Sequence, residues 1–163
     1  MKTLAEAFEH TLQDIYWAET ALTKALPKVS KAVSNAALKK AVDAHLEETK
    51  GHVKTLDAVF KSIGKPAKGE KCDAMDGLLK EADGLMKDAE GHARDVALIG
   101  AAQAVEHYEI ARYGTLREWA KVLGHEEAHT LLSSILDEEK AANAKLTALA
   151  VTAINEKPAE VAA

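Results

Sequence analysis

The stretch LQDIYWAETALTKAL, residues 12 to 26, places Leu12, Ile15, Glu19, Leu22 and Leu26 at alternating three- and four-residue steps. That spacing is the apolar seam of a helix that packs on other helices. One member of the seam is an acid. An ionised carboxylate in a low-dielectric core costs several kcal/mol unless it is paired, hydrogen-bonded or bound to a cation. The segment therefore raises two questions together: what the helix packs against, and what holds Glu19.

Outward from this seam, the first helix is predicted from about Thr3 to about Val33, with Pro27 able to kink it or shift its register. Ser34 or Asn35 is the expected N-cap of a second helix, whose seam runs Leu38, Val42, His45, Thr49, His52, Leu56, Val59 and Ile63. Glu48 stands one step to the side. Gly64 followed by Pro66 closes this helix, and residues 65 to 71, KPAKGEK, form the clearest loop. Asp73 to about Ala89 reads as a shorter helix interrupted by Gly77 and Gly84. A third long helix is expected over about Arg94 to Leu123 through Val96, Ile99, Gln103, Glu106, Ile110 and Tyr113, ending at Gly124. A fourth runs from about Glu126 to Ile154 through Leu132, Ile135, Glu139, Ala142, Leu146 and Leu149.

Two long helices with a short turn, a crossover of about 30 residues, then a second such pair predict an all-α four-helix bundle. Its long crossover contains one short extra helix. The expected domain is single, over 1–155, with a frayed tail at 156–163. The composition agrees: 47% hydrophobic residues, only 4% aromatic and three prolines suit helices packed closely through small side chains.

Glu19, Glu48, Glu106 and Glu139 lie on or beside the seams of four separate helices. If the first hairpin turns near residue 34, Glu19 and Glu48 are equally far from the turn. If the second turns near 124, Glu139 is level with Glu109 and within a turn of Glu106. Inward carboxylates gathered at one level repel one another, and a pair of divalent first-row ions relieves that repulsion. The usual dinuclear pattern adds Glu-x-x-His on two helices. This chain departs from it, with Gly51 after Glu48 and Ala142 after Glu139. The histidines nearby are His45, three residues before Glu48, and His52, four after, both on the face of the acid. The expected ligand set is Glu19, Glu48, Glu106 and Glu139, with His45, His52 and Glu109 as additional donors. Iron is favoured over manganese on ligand type alone.

A structural alternative stands beside this one. The same acids can be protonated, paired with His45 and His52, or hydrogen-bonded by Tyr16 and Tyr113. His125 and His129 read as surface histidines, and Tyr16, Trp17 and Trp119 as packing or dimer-contact residues. A net charge of −5 without a Lys/Arg block disfavours nucleic acid. No apolar run approaches the roughly 20 residues needed to cross a bilayer. Glu6 and Glu9 interrupt any signal-peptide core, so the expected location is cytoplasmic. Cys72 is the only cysteine, which excludes an internal disulfide and a thiolate cluster. No nucleophile or phosphate-cradling motif is present.

The segments LQDIYWAE (12–19), AHLEET (44–49), KCDAMDGLLKEA (71–82), LIGAAQAVEHYEIARYGTL (98–116) and LDEEKAANAKL (136–146) resemble the ferritin-like YciF-type family of bacterial stress proteins. The resemblance implies a ferritin-like bundle, a dinuclear metal site and a homodimer, without implying a reaction. Asn143 stands where that family commonly has aspartate. Two functions remain open: a di-metal protein that consumes peroxide or oxygen in stress protection, and a non-enzymatic dimeric structural or partner-binding protein with a vestigial site.

Overall fold

The computed structural model describes residues 1–155, and no strand occurs among them. Its elements are α1 (Leu4–Ala32), α2 (Ala36–Ser62), α3 (Asp73–Asp88), α4 (Gly91–Val122) and α5 (Glu126–Leu149), followed by a π-helical turn over Ala150–Ile154. The tail expected to fray lies outside the described residues. The all-α class follows from the seams. α1 packs on α2, α2 on α5, α5 on α4 and α4 on α1, while α3 lies mainly against α4.

Local chemistry sets the helix ends. The Thr3 hydroxyl accepts the Glu6 N–H, and the Asn35 side chain accepts those of Ala37 and Leu38, so Asn35 rather than Ser34 caps α2. α2 and α4 end alike. Gly64 and Gly124 adopt φ of +70° and +74°, which lets Lys65 N–H reach Phe60 O and His125 N–H reach Ala120 O, each at 2.9 Å. α1 continues through Pro27, and α3 runs unbroken through Gly77 and Gly84.

The core is aliphatic, with Leu12, Ile15, Leu56, Leu116, Leu132 and Ile135 at 2% exposure or less. Each such side chain contributes about 1.5–3 kcal/mol on burial. The seams of α1, α2 and α5 match the expected ones closely. α4 differs: Val96 is 38% exposed, and Leu98, Val105, Glu109 and Leu116 join Ile99, Glu106 and Tyr113 in the interior. α4 touches α1, α3 and α5, so a single stripe does not describe its buried surface.

Two contacts outside the seams fix the crossover and the first turn. Glu70 N–H donates to Gln13 O at 3.1 Å, laying the crossover loop on α1. Gly69 sits so close there that a Cβ would come within 3.1 Å of Trp17 Cβ. Trp17 therefore packs under the chain's own loop. At the other end, buried Asp95 of α4 accepts Ser34 N–H and Asn35 N–H, one on each oxygen, both at 2.8 Å.

Candidate metal centre

α1 contributes Glu19 to the interior of the helical core, α2 His45 and His52, α4 Glu106 and Glu109, and α5 Glu139. Glu19, Glu109 and Glu139 have no exposed surface, and Glu106 and His52 are 2% exposed. Each residue lies on or next to an apolar seam, so packing the helices draws these side chains together.

The geometry falls into two groups joined by one residue. His45, Glu106, Glu109 and Glu139 offer ligand atoms that all lie within 4.8 Å of one another, and so do Glu19, His52 and Glu139. Glu139 belongs to both. His45 Nε2 is 3.4 Å from Glu106 Oε1. His52 Nδ1 is 3.1 Å from Glu139 Oε1 and 3.4 Å from Glu19 Oε1. The buried Tyr113 hydroxyl donates to Glu19 Oε1.

Among the described residues, nine buried side-chain nitrogen and oxygen atoms lack a hydrogen-bond partner, and all nine belong to Glu19, His45, His52, Glu106, Glu109 and Glu139. Buried polar atoms are normally satisfied, because an orphan forfeits its interaction with water without replacement. Orphans gathered on six converging donors, every one a carboxylate or an imidazole, fit cations of the hard to borderline kind.

Each histidine also has an outward partner. His52 Nε2 bonds the half-exposed Glu138 carboxylate at 2.8 Å. In a neutral imidazole, donation of Nε2–H to Glu138 would leave the Nδ1 lone pair facing Glu19 and Glu139. His45 Nδ1 faces Glu48 at 3.7 Å, and Lys145 Nζ lies 3.3 Å from the other Glu48 oxygen. Between the two histidines, the buried Thr49 hydroxyl donates to His45 O at 2.8 Å.

Electrostatics follow the burial. Desolvation raises Glu19 and lifts Glu106 to about 8, and it carries Glu109 well above the usual carboxylate range with help from Glu139 and Glu19. Burial opposes a charge on His52, but Glu139 and Glu19 outweigh it and push the imidazole up to about 11. Burial likewise opposes a charge on His45, and Glu48 and Glu106 raise it nevertheless. Glu48 is pulled down to about 2 by His45 and then Lys145.

Six of the seven expected ligands thus come together: Glu19, His45, His52, Glu106, Glu109 and Glu139. Glu48 does not join either group; its side chain is 33% exposed, beside Lys145. At the height where Glu48 was expected to meet Glu19, α2 instead turns His52 inward. Tyr16 points away from the acids and donates to Asp57 at 2.9 Å. Glu138 as the partner of His52, and Lys145 as that of Glu48, were not legible in the sequence, since both contacts join α2 to α5 across a long sequence separation. His129 Nδ1 lies 3.0 Å from Arg117 O, away from the cluster.

Fold and cluster together define a class: a helical protein with a buried, partly unsatisfied knot of acids and imidazoles able to hold metal. The chain belongs to the family described as a domain of unknown function, DUF892, whose model matches residues 3–159. It is 48% identical over 159 residues to protein YciF of Escherichia coli K12, covering 96% of each chain. The crystal structure of that stress protein matches with a TM-score of 0.92 over 96% of this chain and 100% of the other. YcfI from Rhodopseudomonas palustris, also 48% identical, matches with a TM-score of 0.87 over 90% and 94%. A protein from Xanthomonas campestris pv. campestris, 20% identical, shares the fold with a TM-score of 0.71 over 91% and 90%. No helix among the described residues is long and apolar enough to cross a membrane.

Proposed function

We propose that the chain is a single-domain ferritin-like four-helix bundle that holds two divalent metal ions, iron favoured, and acts in a bacterial stress response. The observation that carries this reading is the confinement of all nine orphaned buried atoms to the six converging donors. His45, Glu106, Glu109 and Glu139 would hold one ion, and Glu19, His52 and Glu139 the other, Glu139 being common to both groups. Charge supports the count. Two divalent ions balance the four buried carboxylates of Glu19, Glu106, Glu109 and Glu139, leaving the imidazoles neutral as ligands must be. The resemblance to a relative described as a stress protein supports the physiological setting.

A redox-active ion pair would supply electrons to a small oxidant. The protein's own residues hold the site. Tyr113 fixes Glu19, Glu138 turns His52 Nδ1 inward, and the aliphatic seams above and below limit water. A homodimer is the assembly the family resemblance favours.

One observation favours a metal-free alternative. His52, with its imidazole pushed up to about 11 between Glu19 and Glu139, can serve as an internal counter-cation. The bundle would then be a structural or partner-binding protein. Elemental analysis of protein purified without chelator separates the two. About two irons or manganeses per chain, falling to one or none in Glu139→Gln, is the outcome expected of a dinuclear site. No metal after anaerobic loading with ferrous iron would leave the structural reading.

A further inference from the structure

Two small cavities flank the His45–Glu106 pair. One, of about 60 Å3, lies among α1, α2, α4 and α5, where Ala41, Ala44, Ala142 and Leu146 form its walls and Glu48 and Lys145 border it. The other, of about 50 Å3, is bounded by α1, α2, α3 and α4, with Ala25, Leu79, Ala82, Leu98 and Ala101 in its walls. Leu26, Val42 and Ala102 line both, and both end on His45 and Glu106. The second is bordered by no charged side chain except those two.

Their size and lining restrict what can enter. A cavity of this volume admits a small molecule but is well below the roughly 150 Å3 that accommodates benzene. Alanine and aliphatic walls offer no hydrogen bond, so a hydroxyl-bearing oxidant such as peroxide must shed its water shell without replacement. An apolar diatomic molecule sheds nothing comparable. The short side chains are also what creates the space, since a larger residue at Ala82, Ala102 or Ala142 would fill it. At the inner end stand Glu106 Oε2 and both ring nitrogens of His45, buried and without partners.

We propose that these cavities are binding and entry sites for dioxygen at the His45–Glu106 side of the metal centre, and that peroxide does not use them. This rests on the metal reading above. The crossover helix then has a role beyond connection, because Leu79 and Ala82 of α3 close the second cavity.

Xenon, an apolar probe, tests the cavities without any chemistry. Metal-free protein under xenon pressure, studied by diffraction or xenon NMR, is expected to bind it at both positions beside His45. Ala102→Leu should remove both sites, Ala142→Leu the first alone, and Ala82→Leu the second alone. In ferrous-loaded Ala102→Leu, oxidation by dioxygen should slow severalfold while iron content and oxidation by peroxide stay at wild-type levels. Should Ala102→Leu fail to fold, Ala102→Val fills the same wall with less crowding. Absence of xenon from wild type overturns the proposal, as does an unchanged dioxygen rate in a folded, xenon-free variant, or equal slowing with peroxide. Failure of iron to bind at all would instead overturn the metal reading, because the xenon measurement does not depend on iron.

Discussion

Glu138 and Glu139 are neighbours in sequence with opposite environments. Glu139 has no exposed surface and faces both ligand groups, whereas Glu138 is half-exposed and grips the far nitrogen of His52. A carboxylate behind a ligating histidine fixes the tautomer and ring orientation, and its loss typically weakens metal binding 10- to 100-fold. Glu138→Gln is expected to loosen the ion held by His52 by about that range. Competition with a metallochromic chelator measures it. A weakened site in a variant whose melting temperature is unchanged would identify a positioning role; unchanged affinity would show that packing alone orients His52. Glu48 is arranged similarly behind His45, but at 3.7 Å and with Lys145 competing for it. Its removal should have the smaller effect.

The helices bring six donors into register only if the two hairpins are held at a fixed height. Asp95 is well placed for this. From α4 it takes both N–H groups of Ser34 and Asn35, at the turn between α1 and α2. Its negative charge also meets the positive end of the α2 dipole. Arg94 adds a bond to Ala32 O at 3.3 Å. Asp95→Ala would remove two charge-assisted hydrogen bonds to the part-buried turn, at a cost of about 1–3 kcal/mol. For a chain of this length each kcal/mol lowers the melting temperature by about 2–4 °C. Differential scanning calorimetry should therefore show a fall of several degrees. No change would mean that water satisfies the turn as well as Asp95 does.

Taken whole, the molecule has a core that is neutral in two different ways. Without metal, a protonated His52 and the proton that burial keeps on Glu106 offset buried negative charge. With two divalent ions bound, those protons must leave. Calorimetric titration of ferrous iron near pH 7, repeated in buffers of different ionisation enthalpy, is expected to register that release. The same linkage gives the metal-free protein a definite pH response. Glu106 is raised from 4.5 to about 8 and His52 from 6.5 to about 11, so between those limits the folded state binds more protons than the unfolded one. Stability conferred by these protons is complete below the unfolded values and is lost as pH climbs through the folded ones. Denaturant midpoints of chelator-treated protein should therefore fall from about pH 5 toward pH 10. Metal-loaded protein, whose ligands are already deprotonated, should show a flatter profile over the same interval.

The helical class, the lengths of the four long helices and most of their buried faces were legible in the sequence. Amphipathic spacing depends only on local geometry, and Leu12 to Leu26 display it without reference to any other segment. The same spacing exposed Glu19, Glu106 and Glu139 as acids out of place. Tertiary structure decided which α2 residues meet them. Glu48 lies one step off the seam and stays on the flank, while the vertical offset of α1 against α2 sets His52, already on the seam, rather than Glu48 against Glu19 and Glu139. Periodicity does not encode that offset; interdigitation of side chains from two helices sets it. For the same reason α4, buried on several sides, made Val96 look like a core position, and Glu109, off the expected stripe, was marked as a donor only by its height beside Glu139. The sequence by itself determined that carboxylates and imidazoles would be buried. Only the packed helices determined that they converge on Glu139, because convergence depends on the relative heights of four elements and each seam records only its own.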